Sequence, residues 1–270
     1  MDRNIILTTV LLLCGISTFA QNKKVLFVMS TAKELKLTNG KTYSETGVFL
    51  SEFYLAYKDI GNLGYEIDIA TPDGVASSID KESLNPKYWS GRDSLIVEAQ
   101  NFVAKNSKFI KPFALEKVLE NPDQYSGIVI PGGQGLMVDL MYNKNVFDIL
   151  KLFSKKGKAI GLICHAPALI LSIPKEENPF IGYKVNSVTG LEEFFIEKFI
   201  MKGKPTNRKI GRQLKKQGLK YMKGSPAGNF AIRDKELITS QNPYSSQAFI
   251  VLYLAALNEY ELKNTLKYRQ

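Results

Sequence analysis

Continuous apolar runs alternate with amphipathic stretches along most of this chain. Val25–Met29 is an unbroken run of β-formers, the pattern of a parallel strand covered on both faces. From Thr46 to Asn62 the period lengthens. Phe49, Phe53, Ala56 and Ile60 fall on one stripe, which predicts a helix ending at Gly61 and Gly64. Tyr65–Ala70 predicts the next strand, stopped by Thr71-Pro72-Asp73-Gly74. Gly127–Ile130 and Ala159–Ile163 predict two more, with a helix over Val146–Lys155 between them. A further helix is expected to begin at Ala166, and Ser245–Leu262 predicts a last, apolar one. Strands that alternate with helices imply βαβ crossovers, so the fold class is α/β, a three-layer sandwich with a mainly parallel sheet. Two stretches break the alternation. Residues 74–124 read as a cap inserted between β-units, and residues 198–223 as a basic excursion.

Composition adds little to this, but charge and the N-terminus do. Among 270 residues, 36 Lys and Arg stand against 26 Asp and Glu, a net charge of +10. The 198–223 stretch carries ten basic residues and no acidic one, which equals that net charge. A solvated face is the favoured reading over a polyanion site, because no aromatic residues are seen to interleave for base stacking. No specific nucleic-acid partner is therefore expected. At the start, Arg3, the apolar run Ile5–Cys14 and the small residues Thr18 and Ala20 have the layout of a Sec signal peptide cut after Ala20. The expected organisation is residues 1–20 as leader and 21–270 as one domain. Export to the periplasm or medium is expected, with an uncleaved membrane anchor as the alternative. No membrane span is expected in the remainder.

Cleavage would leave Cys164 as the only cysteine, and His165, directly after it, is the only histidine in the chain. A thiol with an imidazole beside it is a nucleophile–base combination. The pair ends one predicted strand and opens a helix, where open α/β sheets place ligands and where a tight turn projects one side chain above the sheet. Peptide N–H groups and the helix start at Ala166-Pro167 are expected to lower the thiol pKa. The N–H groups of Gly133 and His165 are expected to form an oxyanion hole. With one histidine and two cysteines there is little from which to build a zinc site.

Ala159-Ile-Gly-Leu-Ile-Cys164-His165-Ala-Pro, preceded by Ile130-Pro-Gly-Gly-Gln-Gly135 and Thr46-Gly-Val-Phe-Leu-Ser-Glu52, resembles the DJ-1/PfpI superfamily. Within it, these blocks and Thr239-Ser-Gln-Asn-Pro243 are similar to the heat-shock chaperone/glyoxalase III branch of the class I glutamine-amidotransferase-like proteins. The resemblance runs from about Lys24 to Leu257. It implies a flavodoxin-like core, with Cys164 as nucleophile, His165 adjacent and Glu52 close to the sulfur. Glu52 also makes sense on its own pattern, because it flanks the Phe49–Phe53–Ala56 stripe. Partial burial there would raise its pKa and suit proton transfer. The resemblance also implies an acid that orients His165, shortly after Val188-Thr189-Gly190. Glu193 is the first choice and Glu197 the alternative. Two departures stand out: family members often have His where Gln134 stands, and the extra histidines with which some bind zinc are missing.

The implied function is cofactor-independent conversion of 2-oxoaldehydes such as methylglyoxal to 2-hydroxy acids, with related protein deglycase activity. The alternatives are a PfpI-type cysteine peptidase or amidase, and a holding chaperone or redox sensor. The expected partners are a small aldehyde or a modified protein, and a second copy of the chain in a homodimer. No metal or other cofactor is expected.

Overall fold

The computed structural model describes residues 23–267. Seven strands form the central sheet: β1 (Lys24–Val28), β2 (Glu66–Thr71), β3 (Phe113–Ala114), β4 (Tyr125–Ile130), β5 (Ala159–Ile163), β6 (Ala231–Asp234) and β7 (Leu237–Ser240). Their order is β6-β7-β5-β4-β1-β2-β3. All neighbours are parallel except β6 and β7, which form an antiparallel hairpin at one edge. Helices cover both faces, so the α/β sandwich expected from the alternation is the fold. The apolar runs at β1, β4 and β5 are buried from end to end in one core, as strands covered on both sides must be.

Helix α1 (Leu50–Gly61) and helix α6 (Ser246–Lys267) pack against each other on one face. Beneath α6 the sheet is floored with glycine. A Cβ on Gly161 would lie 2.6 Å from the Phe249 ring, and one on Gly127 would lie 2.6 Å from the Tyr253 hydroxyl. The missing side chains let two stacked rings, Phe249 and Tyr253, sit directly on the strands.

Helix α1 starts four residues later than its periodicity predicts. The N–H groups of Val48 and Phe49 are already committed to Ser78 O (2.9 Å) and Gly132 O (3.0 Å), so this segment is extended. Tertiary hydrogen bonds outweigh local helical pattern here. The 74–124 stretch is more than a lid. It contains helix α2 (Ile96–Lys105) and supplies β3, the edge strand beside β2. It also buries Trp89 completely, with Nε1–H donating to Ser83 O at 3.0 Å. Helix α3 (Lys144–Lys155) carries the chain from β4 to β5.

The 190–223 stretch begins as helix α4 (Gly190–Phe195), widens into a π turn over Ile196–Ile200, and continues to helix α5 (Ile210–Gln217). A short strand, Lys220–Tyr221, then pairs in parallel with Lys184–Val185. Nine of its ten basic side chains are exposed, and Arg208 is half-buried.

Candidate active site

Cys164 stands just past the carboxyl end of β5 with φ +59°, a left-handed conformation that costs a non-glycine residue energy. Its neighbours hold it there. The Cys164 N–H donates to Ser240 O at 2.8 Å, at the end of β7, and its carbonyl accepts from the Val188 N–H at 2.9 Å. The chain turns at once into a 3₁₀ helix, Ala166–Ser172, with Pro167 in its first turn where a missing N–H is harmless. This is the sharp strand–turn–helix expected from the sequence, and it buries the side chain: Cys164 is 5% exposed.

A second main-chain turn meets it from β4. Gly132 and Gly133 follow Ile130-Pro131, and neither position tolerates a side chain. A Cβ on Gly133, whose φ is +110°, would lie 2.1 Å from Gly47 O. One on Gly132 would lie 2.7 Å from Glu52 Oε2 and 2.8 Å from Cys164 Cβ. Through that gap Glu52, in the first turn of α1, reaches the cysteine. Its Oε2 accepts from the Gly132 N–H at 2.8 Å. Its Oε1 is buried without a partner among the described residues. Burial raises the Glu52 carboxyl to about 8, although the Gly132 N–H and the neighbouring thiol pull it down.

His165 is 4% exposed. Its Nδ1 lies 3.2 Å from Cys164 Sγ, and its Nε2 lies 2.9 Å from Gln134 Nε2. Burial lowers the imidazole pKa to about 4, so the ring is neutral near pH 7. The thiol departs from the sequence expectation in the same physical way. Burial pushes it well above its ordinary value, Glu52 and Glu192 add to the rise, and only the His165 N–H opposes it. The strand–turn–helix pattern pointed to a stabilised thiolate. The helix that follows is a short 3₁₀ segment, and desolvation outweighs its amides.

The acid expected to orient His165 is not there. Glu193 Oε1 accepts from the Ile210 N–H at 3.3 Å. Glu197 is bound by Arg208 through Nε at 2.6 Å and Nη2 at 2.5 Å. The carboxylate that does reach the pocket from this helix is Glu192. It closes a capping box with Thr189 and also accepts from the Ala227 N–H (2.9 Å) and Asn242 Nδ2 (2.7 Å). The Thr-x-x-Glu spacing is the signal that could have assigned Glu192 to the helix start. In place of an acid, Gln134 meets the imidazole.

Gly133, Gln134, Cys164, His165 and Glu192 line a cavity of about 410 Å³, the size of a small-ligand site, while Glu52 touches Cys164 from outside that lining. The 74–124 stretch contributes Asp80, Glu82, Lys87 and Tyr88 to its lining. None of these was foreseen. Asp80 is buried and raised to about 7 by desolvation, while Glu82 accepts from Lys87 (2.9 Å) and from the Tyr88 hydroxyl (2.8 Å). The opposite wall is the helix and π turn after Thr189, with Phe195, Ile196, Phe199 and Met201. Phe195 and Phe199 stack at 5.5 Å and stay about half exposed, and Lys198 Nζ lies over the Phe194 and Phe199 rings at 5.6 and 5.2 Å. Aromatic residues therefore do adjoin the basic stretch, contrary to the sequence reading. Among the described residues no cluster of three His, Cys, Asp or Glu side chains is placed to hold a metal ion. No helix among them is long and apolar enough to cross a membrane.

Comparison with known proteins places this geometry. The DJ-1/PfpI family model matches residues 43–177. The protein/nucleic acid deglycase HchA of Pseudomonas aeruginosa is 26% identical over 235 residues, covering 83% of this chain and 77% of that protein. The HchA deglycase of Escherichia coli is 26% identical over 231 residues, with the same coverage. Among solved structures, a glyoxalase III from Candida albicans superposes with a TM-score of 0.72 at 25% identity, covering 87% of this chain and 98% of that one. The Drosophila melanogaster DJ-1beta structure, at 17% identity and a TM-score of 0.52 over 91% of this chain and 98% of its own, shares the fold. The export expectation is corrected by the same relatives. It rested on residues 1–20, which lie outside the described residues, and the HchA proteins are cytoplasmic. The chain belongs to the DJ-1/PfpI family, in its glyoxalase III/HchA-like branch.

Proposed function

We propose that the protein is a glyoxalase III-like enzyme with deglycase activity, acting on 2-oxoaldehydes such as methylglyoxal and on their adducts with proteins. The observation that carries the reading is the Cys164 thiol lining a cavity sized for a small ligand, with the buried carboxyl of Glu52 packed against it. The HchA deglycases and the glyoxalase III structure support it from outside.

The assigned steps use only these groups. Sγ of Cys164 adds to the aldehyde carbon while its proton passes to Glu52 and on to the new hemithioacetal oxygen. Glu52 then takes the proton from C1 and returns it to C2 by way of an enediolate, while the O1 proton passes to O2 to leave a thioester with a 2-hydroxyl. The N–H groups of Gly133 and His165, on the two turns that line the cavity, are assigned to the oxygens on which charge develops. Water hydrolyses the resulting thioester, which releases the 2-hydroxy acid and restores the thiol. Because carboxyl and thiol are packed together, they titrate as a pair. Turnover should therefore climb as pH rises toward about 8.

The test is turnover of methylglyoxal to lactate by purified protein without glutathione. Activity that Cys164→Ser abolishes supports the proposal. No lactate above the buffer rate, or equal activity in the variant, ends it. Hydrolysis of an unmodified peptide or amide, lost in the same variant, would favour the peptidase reading instead.

A further inference from the structure

The contact between Gln134 and His165 reverses the usual relation between a histidine and the group that orients it. In a nucleophile–histidine–acid arrangement, the acid accepts an N–H from one ring nitrogen, which leaves the other nitrogen free to take the nucleophile's proton. Here Gln134 is 6% exposed, and its amide nitrogen, a donor, lies 2.9 Å from His165 Nε2. The Oε1 of Gln134 points away and has no partner among the described residues. A ring nitrogen that accepts cannot carry a proton, so in a neutral imidazole the proton must sit on Nδ1. Nδ1 is the nitrogen 3.2 Å from Cys164 Sγ.

We infer that Gln134 is a positioning residue that locks His165 in its Nδ1–H tautomer. In that state His165 serves the reaction as a hydrogen-bond donor to the sulfur and not as its base. This rests on the glyoxalase reading proposed above. The sulfur becomes an anion when its proton leaves and again when the thioester is hydrolysed. A donor at 3.2 Å stabilises it at both points, whereas an unprotonated Nδ1 would present a lone pair to a negative sulfur. Proton traffic then falls to Glu52, which touches the thiol and whose Oε1 is buried without a partner among the described residues. The inference also accounts for the missing acid. A carboxylate at Nε2 would hold a proton on Nε2 and undo the arrangement, and both Glu193 and Glu197 are engaged elsewhere.

The single histidine of the chain makes the test direct. Nitrogen-15 histidine labelling of the full chain gives one pair of ring signals, with no assignment problem. The expected wild-type spectrum near pH 7 has a protonated Nδ1 and an unprotonated Nε2. In Gln134→Glu the carboxylate can only accept, and in Gln134→Leu the donor is gone, so the proton should move to Nε2 in both. Turnover of methylglyoxal should fall on the order of 10²-fold in kcat with KM little changed, the scale of losing one aimed donor. Nε2 protonated in the wild type overturns the inference even if neither variant folds. An unshifted tautomer in folded variants overturns it too, as does a shifted tautomer with full turnover. A wild type that has the Nδ1 proton but makes no lactate would sink the glyoxalase reading and leave the tautomer assignment standing.

Discussion

The floor of the pocket is main chain that cannot move aside. Cys164 is held at φ +59° by hydrogen bonds on both sides, and Gly132 and Gly133 fit only because they lack a Cβ. The outer wall is side chain on a widened helix. Phe195, at the end of α4, and Phe199, on the π turn, lean over the cavity half exposed, and the strongly basic stretch begins there at Lys198. The first region sets chemistry by over-determination, since each group has one place to be. The second has few such constraints, and helical π turns are often found where a site needs shape more than strength. Substitutions in the two regions should therefore differ in kind: the floor should lose catalysis or fold, and the wall should change what binds.

The sharpest break in that comparison would come from Glu52→Gln. It keeps size and the Gly132 contact but removes the transferable proton, so turnover should drop on the order of 10²–10⁴-fold. A variant within tenfold of wild type would show that the floor does not depend on this carboxyl.

Next in size is Gly133→Ala. It places a methyl group against Gly47 O and demands a positive φ, so a loss of roughly 3 kcal/mol or more is expected in denaturant unfolding. Unchanged stability would mean that the two loops can separate after all.

The same floor should have a signature in pH. Glu52, raised from 4.5 to about 8, keeps its proton in the folded chain across a range in which the unfolded chain has lost it. Stability should therefore fall as pH rises from about 4.5 to 8. His165, lowered from 6.5 to about 4, acts in the opposite sense: below about 6.5 the unfolded chain takes up a proton the fold refuses, so stability falls as pH drops toward 4. In Glu52→Gln the Glu52 share of this decline should disappear, a gain on the order of a few kcal/mol above pH 8 by thermal or denaturant unfolding, while the shares of Asp80 and Glu193, both raised to about 7, remain. The thiol should follow burial as well. Iodoacetamide should label Cys164 more slowly than free cysteine at pH 7. Faster labelling would restore the stabilised thiolate.

For the wall, Phe195→Ala should leave stability almost unchanged, because the ring is half exposed. It should raise KM for bulky adducts more than for methylglyoxal, by about tenfold, the scale of a lost apolar contact. Equal effects on both substrates would remove the distinction between floor and wall. The smallest expected effect is Lys215→Gln, Lys216→Gln and Lys220→Gln together. All three side chains are exposed, so stability should move by no more than about 0.5 kcal/mol and turnover should stay level. Loss of a steep, salt-sensitive retention on a heparin column would instead assign the stretch a polyanion.

How much of this was legible depended on the distance over which the information is encoded. Cys164 and His165 are adjacent, and the strand before them is a plain apolar run, so the elbow could be read locally. Glu52 could be read from its place beside a helical stripe. The partner of His165 could not. Gln134 meets the ring across 31 residues of chain, and its role depends on which amide atom faces Nε2. Glu192, and not Glu193, reaches the pocket because the capping box with Thr189 fixes the register at the start of α4. A strand–turn–helix pattern conveys which dipoles are near the thiol but not how dry the site is, and burial decides its pKa. The polar rim of Asp80, Glu82 and Tyr88 comes from a stretch with no catalytic motif.

The contact between Gly47 and Gly133 bears on how such a protein can change over time. A backbone oxygen occupies the space where any side chain at residue 133 would begin, so one position can vary only if the other loop is rebuilt with it. Single mutations are then barred from the floor, and a lineage wanting a new substrate must alter the aromatic wall or the 74–124 stretch. Protein engineers face the same asymmetry: a library spread over residues 195–201 and 80–88 samples new specificities on intact chemistry, whereas one spread over residues 132 and 133 samples mostly unfolded chains.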